Sequence, residues 1–385
     1  MPIEFLSSSA RRFLVRFVAH TPIEHEIGVS VEGLDEHSRL AIGSKLREHA
    51  TVVLREMLPM SQLKSVDRIE IQVLVDNVTD SLSSTPPSVT REWSLLQSHG
   101  MRLITGGALC CANHGLSLLI TAHDASGSRS LLFDGGPVDY AIERNGVRMG
   151  ADFGSVDAVM LSHGHWDHAG GLPRAFGMIQ SENGDKSVPL YLHPGMFDLR
   201  GVRRPDGSVL PMERVLSPSE WSLLGADPVV TTDAQFCLDD TFYISGEIPR
   251  ITPYEKGFPE HVRQRPDDGV WVPDTLLVDE RFLVVQVRNK GLVIFSACSH
   301  AGIVNVLHHA RNTFPGIKIH AIMGGFHLSG TTEVTIPATV SDMGTFDLEL
   351  VIPAHCTGWR AVNALERAFG EGVVMPSAVG KRFTV

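Results

Sequence analysis

Ser162 to Gly171 reads SHGHWDHAGG. Within it, His163, His165, Asp167 and His168 place three imidazoles and a carboxylate in six residues. Neutral imidazole and carboxylate suit zinc, iron or manganese. A turn can splay His163 and His165 toward one point and Asp167 and His168 toward another, which would build a two-metal site with an open edge. Gly164 frees the backbone between ligands, and Gly170 and Gly171 allow close approach where a helix begins. The competing reading is a histidine-rich surface loop. So many ligands directly behind an apolar stretch favour metal binding.

The elements around the cluster must hold it still. Val156 to Leu161 reads as a short buried strand, and Gly171 to Phe176 as the start of a helix. The polar run therefore sits on a strand-to-helix turn, where α/β proteins place their chemistry. Strand-like runs recur along the chain: IEIQVLVDN, GLSLLITA, SLLFDGG, VDAVML, VPLYLH, FLVVQV, GLVIFSA, IKIHAIM and LELVIPA. Helical stretches separate several of them, which predicts an α/β fold.

Several of these runs end in a histidine. His300 follows GLVIFSA at the start of a helix expected over Ala301 to Phe314, and His355 in VIPAHCTG repeats the pattern. Both are candidate metal ligands, against the plainer reading of a helix-start histidine that caps or faces solvent. His327, in MGGFHLSG, is a candidate ligand, proton donor or substrate contact, weighed against a satisfied structural histidine. His193, in LYLHPG, is a weaker candidate of the same kind. Cys356 could in principle ligate a metal, although such a cysteine is more often a small buried residue. Asp76 and Asn77 either tie the preceding strand to the site or serve turn chemistry.

Composition bounds the function classes. The 385 residues are 43% hydrophobic and 20% charged, which is ordinary for a globular protein. No apolar run reaches the roughly 18 residues that span a bilayer, so no membrane partner is expected. The net charge of −11 makes a polyanion a poor partner, so no nucleic acid is expected either. Five cysteines without a signal-peptide pattern fit a reduced, cytoplasmic setting. The N-terminal MPIEFLSSSARRFLVRF carries serine and arginine, but Glu4 and the absence of an amphipathic pattern weigh against a targeting peptide.

Residues 1–66 read as an N-terminal extension, partly helical over Glu36 to Leu58. Residues 67–385 form the main domain, with an insertion at about 195–274 that is rich in Pro, Gly, Asp and Arg. That insertion could cover the site. Its Arg200, with Arg203, Arg204, Arg250 and Lys256, would suit a phosphate or carboxylate on a substrate. A solvated basic loop explains each residue singly just as well.

SHGHWDHAGG resembles the HxHxDH signature of the metallo-β-lactamase-fold superfamily. SLLFDGG resembles the strand-end Asp motif that precedes that signature, with Asp134 as its acid. ACSHAGIVN and VIPAHCTG resemble its later ligand segments. The wider set VDN, HGLSLLI, LFDGG, SHGHWDHAGGL, ACSHAGIVN, GGFHL and PAHCTG is similar to the subgroup of 7,8-dihydropterin-6-methyl-4-(β-D-ribofuranosyl)aminobenzene-5'-phosphate synthase. The resemblance runs from about Ile69 to Gly358. It implies a four-layer αβ/βα sandwich and two divalent ions, zinc first, with manganese or iron as alternatives. His163, His165, Asp167, His168, His300 and His355 would be the ligands, and Asp134 would orient a ligand histidine without binding metal. One departure stands out. Many members carry a further histidine and then a bridging Asp, whereas here His261 is the only histidine between His193 and His300. The strand that would carry the bridge ends in SACSH.

These readings predict a metal-dependent hydrolase that turns a metal-held hydroxide on a small anionic ester, phosphoester or cyclic substrate. Asp167 would hold or deprotonate the nucleophile and His327 would protonate the leaving group. His193 and Arg200 would contact substrate. The alternative is a synthase condensing a dihydropterin with an aminobenzene ribofuranosyl phosphate, in a pocket to which Trp166, Phe326 and Trp271 would lend aromatic walls. A further alternative is a diiron redox enzyme, disfavoured because no flavin-binding partner domain is evident. Self-association into a homo-oligomer stays open.

Overall fold

The computed structural model describes Leu63 to Val385 in full and, before them, the backbone of three strands. The chain divides into two compact units, Met1–Gln62 and Leu63–Val385. In the first, β1 (Ile3–Leu6), β2 (Arg12–Ala19) and β3 (His25–Val29) form an antiparallel meander. The helix expected over Glu36 to Leu58 lies outside the described residues.

The second unit holds two large sheets. Its strands are, in chain order, β4 (Ser65–Val66), β5 (Arg68–Val75), β6 (Val89–Thr90), β7 (Ser117–Asp124), β8 (Gly127–Phe133), β9 (Val156–Met160), β10 (Val188–Leu192), β11 (Arg200–Arg203), β12 (Val209–Pro211), β13 (Ala226–Val230), β14 (Gln235–Cys237), β15 (Phe242–Ile244), β16 (His261–Gln264), β17 (Trp271–Pro273), β18 (Leu283–Val287), β19 (Gly291–Ser296), β20 (Ile319–Gly324), β21 (Leu350–Pro353) and β22 (Arg382–Thr384). The first sheet runs β13-β10-β9-β8-β7-β5-β22-β6. The second runs β14-β15-β18-β19-β20-β21, with β4 paired beside β18.

Side-chain alternation explains the layering. On β8, Leu131 and Phe133 point into the core between the sheets, while Leu132 points outward. On β19, Val293 and Phe295 face that same core, and Leu292 and Ile294 face away. The outward residues of the first sheet pack on the helices α1 (Asp139–Met149) and α2 (Leu172–Asn183) through Ile142, Phe176 and Ile179. Those of the second sheet pack on α3 (Ile303–Thr313) and α4 (Trp359–Phe369) through Ile303, Leu307 and Leu365. Strands buried on both faces read as unbroken apolar runs. The result is an α/β four-layer αβ/βα sandwich.

The segment at 195–274 is not a single insertion of loops. β11, β12, β16 and β17 do form a separate antiparallel sheet. Between them, however, β13 joins the edge of the first sheet, and β14 and β15 join the second. These strands are short, and β13 carries Pro228, tolerated because its strand is at an edge. Short, proline-marked strands hide the alternation that identifies the longer ones.

Candidate metal centre

The polar clusters gather where the strands end. Asp134 follows β8, Ser162 to His165 follow β9, Cys298 to His300 follow β19, His327 follows β20 and His355 follows β21. Each strand stops as its chain leaves the apolar interior, so the next residues line one edge of the sandwich. His163, His165, His168, His300 and His355 are all buried.

Asp134 organises the signature turn. It is fully buried and adopts a left-handed φ of 60°. Its Oδ1 accepts from the Ser162 N–H at 2.7 Å, and its Oδ2 accepts from Ser162 Oγ at 2.7 Å. Oδ2 also lies 2.7 Å from His168 Nδ1. Nδ1 therefore carries the proton, and Nε2 presents its lone pair to the centre. Ser162 Oγ in turn lies 2.9 Å from His163 Nδ1, which passes the orientation to a second imidazole.

Gly164 is needed for space rather than for an unusual φ. A Cβ there would sit 2.6 Å from Arg200 Nη1 and 2.7 Å from the Met196 carbonyl oxygen. The Gly164 N–H donates to Asp279 Oδ2 at 2.9 Å, and Arg200 grips Asp279 at 2.8 and 2.6 Å and Asp274 at 2.9 Å. Arg200 is thus a buried strut behind the His163–His165 turn, not a substrate contact. The expectation from sequence fails because a lone arginine in a polar segment gives no sign of two carboxylates 74 and 79 residues away.

His193 also proves structural. Its Nδ1 accepts from the Gly195 N–H at 3.0 Å and its Nε2 lies 3.3 Å from Glu247 Oε1, so both ring nitrogens are engaged. Arg250 is drawn inward as well, donating to backbone carbonyls of Ile248 and Leu276. Arg203 and Arg204 are exposed.

The ligand candidates fall into two sets. Ligand atoms of His163, His165 and His300 lie within 4.8 Å of one another. On the other side, Asp167 Oδ2 lies 3.3 Å from His355 Nε2 and 3.8 Å from His168 Nε2. Nitrogen and oxygen ligands on a tetrahedral ion with bonds of about 2.0–2.1 Å stand about 3.3 Å apart. The rings of His163 and His168 touch at 4.4 Å between centroids, so the two sets adjoin.

His355 owes its pose to the N-terminal side of the sandwich. Its Nδ1 lies 2.9 Å from Asn77 Oδ1, and its backbone N–H donates to Asp76 Oδ1 at 3.0 Å. Of the two readings of Asp76 and Asn77, the tie between strand and site is the one realised. Asn77 Nδ2 also lies 3.2 Å from His114 Nδ1. His114, not singled out from sequence, has its Nε2 3.5 Å from Asp167 Oδ2 and remains largely exposed at the open edge. Its place immediately before β7, in NHG, was the available signal. His261, the only histidine between His193 and His300, also comes to the centre. It lies on β16, 2% exposed, with its ring 4.6 Å from that of His165.

His327 lies against the first set, its ring 4.4 Å from His300. It lines a small cleft with Lys256, Tyr254, Phe326 and Thr332. Trp166 stacks on His114 at 5.9 Å, while Trp271 sits on β17 in the separate small sheet. The aromatic wall drawn from sequence is therefore Trp166 and Phe326 on different sides of the centre.

Three of the candidate ligand histidines are neutral and Asp167 is anionic, as cation binding requires. Burial, reinforced by neighbouring imidazoles, holds His163, His165 and His300 well below the ordinary histidine pKa, so they are neutral. Burial opposes charge on His168 too, but Asp167 and Asp134 outweigh it and raise its pKa to about 9. Burial likewise works against the Asp167 anion, and His168 and His355 more than offset it, holding its pKa far below the usual range. Burial and Arg200 lower His261 to about 4.

The donor set fits a metal ion. His163 Nε2, His165 Nε2, His168 Nε2, His355 Nε2 and both nitrogens of His300 are buried without a hydrogen-bond partner. Buried polar atoms are almost always paired. Several orphaned lone pairs converging on one place are what a cation would satisfy.

Comparison with known proteins agrees. The family model for the metallo-beta-lactamase superfamily matches residues 114–175, which contain the signature turn. A metal-dependent hydrolase of the beta-lactamase superfamily of known structure superposes with a TM-score of 0.60 at 24% identity, covering 82% of this chain and 99% of that one. Residues 114–175 are thus similar to the metallo-beta-lactamase superfamily, and the chain has the metallo-β-lactamase fold. The chain is also similar to the 7,8-dihydropterin-6-methyl-4-(beta-D-ribofuranosyl)-aminobenzene-5'-phosphate synthase of Methanocaldococcus jannaschii. It is 29% identical to that protein over 263 residues, 68% of this chain and 86% of the relative. A ribonuclease Z of Bradyrhizobium is also 29% identical, but over 123 residues and 41% of its length.

Proposed function

We propose that this protein is a binuclear divalent-metal hydrolase, with zinc as the native ion, acting on a small anionic ester, phosphoester or cyclic substrate. The observation that carries the reading is the set of buried, unpartnered imidazole nitrogens in two adjoining groups. His163, His165 and His300 would hold one ion, and Asp167, His168 and His355 the other. When bound, divalent ions lower the pKa of water toward neutrality and stabilise charge that builds on an attacked oxygen. The protein's own part is orientation and proton transfer. Asp134 fixes the His168 tautomer, and Asn77 fixes His355. Asp167, at the open edge beside exposed His114, would hold the nucleophile or accept its proton. His327 donates a proton to the leaving group; although burial opposes it, the neighbouring Cys356 thiol raises its pKa above the ordinary value. Lys256, exposed on the cleft beside His327, is the cation available to a substrate phosphate or carboxylate.

A second reading is a synthase joining a dihydropterin to an aminobenzene ribofuranosyl phosphate. The similarity to the Methanocaldococcus jannaschii protein over 86% of its length favours it. Both readings use the same ligands and differ in the second substrate, water or an aryl amine. We place a diiron redox role third. The acidic net charge of −11 supports a small-molecule substrate rather than nucleic acid, and the five free cysteines support a cytoplasmic setting.

The test is elemental analysis of protein purified without added metal, followed by assays of the loaded enzyme. About two zinc ions per chain, with turnover of a phosphoester or lactone by water alone, is the expected result. Turnover only when an aryl amine is supplied would replace the hydrolase reading with the synthase. Two irons would favour the redox role, and no metal after reconstitution would end the catalytic reading.

A further inference from the structure

The strand expected to carry a carboxylate bridging two ions ends instead in Cys298, Ser299 and His300. The structure places a thiol there. Cys298 is 2% exposed, and its Sγ belongs to three separate groups of potential ligands, each with its ligand atoms within 4.8 Å of one another. One group pairs it with His163 and His168, a second with His300 and His327, and a third with His355 and Cys356. Cys298 is thus the side chain that reaches histidines from both halves of the centre.

Its backbone is held on each side. The Gly325 N–H donates to the Ala297 carbonyl oxygen at 3.0 Å, and Ser299 Oγ donates to the Gly325 carbonyl oxygen at 2.7 Å. Buried Glu280 accepts from the His300 and Ala301 N–H groups at 2.9 and 2.6 Å. This stretch is therefore rigid enough to present one sulfur to a fixed point. The neighbours of that sulfur are Cys356 Sγ at 3.2 Å and His327 Nδ1 at 4.0 Å.

We propose that Cys298, as thiolate, is the ligand that bridges the two ions in place of a carboxylate. The inference rests on the binuclear reading above. A thiolate carries one negative charge and several lone pairs on a single atom, so it can bond two ions at once. Its S–H proton leaves to solvent as the ions bind, and no electrons are transferred. Sulfur at the bridge biases the site toward zinc and away from manganese or magnesium.

The test uses the full-length chain reconstituted with cobalt(II), read by absorption and by metal content. Wild type is expected to take up two ions and to show an intense near-ultraviolet thiolate-to-cobalt charge-transfer band. Cys298→Ser is expected to lose the band and bind one ion, half the wild-type content. Cys298→Asp is expected to restore two ions without the band, and Cys356→Ser to keep both. Two ions with no band in wild type would overturn the bridge, and so would a band that disappears in Cys356→Ser but persists in Cys298→Ser. The wild-type spectrum decides even where a variant does not fold. Wild type that binds no cobalt would instead bring down the binuclear reading beneath.

Discussion

A histidine becomes a useful ligand when its second nitrogen is occupied. Here that work falls to residues that lie behind the imidazoles. Asp134 bonds His168 directly and reaches His163 through Ser162. Asp134→Asn keeps the shape and removes the charge, so we expect a loss of about 10–100-fold in metal affinity, the usual cost of removing such a partner. Competition with a coloured chelator measures it, and unchanged affinity would show that the turn positions His168 without the carboxylate.

The same residues set a pH window for the metal-free protein. His163, His165 and His300 have pKa values lowered in the folded state. Below their unfolded value of about 6.5, the unfolded chain binds protons that the folded one refuses, so stability falls with pH. His168 shifts the other way. Its contribution is complete below the unfolded value and disappears as pH rises through about 9. Calorimetry of the metal-free protein should therefore show the highest melting temperature between these limits. A melting temperature that keeps rising from pH 7 to pH 5 would contradict it.

At the scale of elements, the signature turn depends on a segment far along the chain. β11 carries Arg200 to Asp279, and Asp279 holds the Gly164 N–H. Arg200→Ala would leave Asp279 buried without its counter-charge, a loss of about 3–5 kcal/mol. Urea unfolding would register it, and metal uptake should weaken in the same variant because Gly164 lies between two ligands. Arg200→Lys should rescue only in part, since one ammonium cannot reproduce contacts to Asp274 and two oxygens of Asp279.

Across the whole molecule, the centre is as stable as the seam between the two sheets. Phe133 and Phe295 meet there with ring centroids 6.4 Å apart, and neither is exposed. Phe133 immediately precedes Asp134, and Phe295 lies three residues before Cys298. Phe295→Ala should cost about 3–5 kcal/mol. The loss should appear in denaturant midpoints of metal-free and loaded protein alike, because it acts on the core and not on the ligands.

Much of this protein can be read along the chain because its chemistry is local. The signature run packs four candidate ligands, three imidazoles and a carboxylate, into one turn, and the unbroken apolar strands announce a sheet buried on both faces. Strand-then-histidine patterns pointed to His300 and His355, which the fold does bring beside the first cluster. Pairings between distant segments were invisible. Arg200 and His193 looked free because Asp279 and Glu247 lie 79 and 54 residues away. His261 and His114 looked incidental because their partners, His165 and Asp167, come from distant segments of the chain. Periodicity and ligand spacing follow from covalent neighbours, so residue order alone determines them. Which polar side chains are spent on each other, and which remain for a metal or a substrate, is decided only when the sheets close.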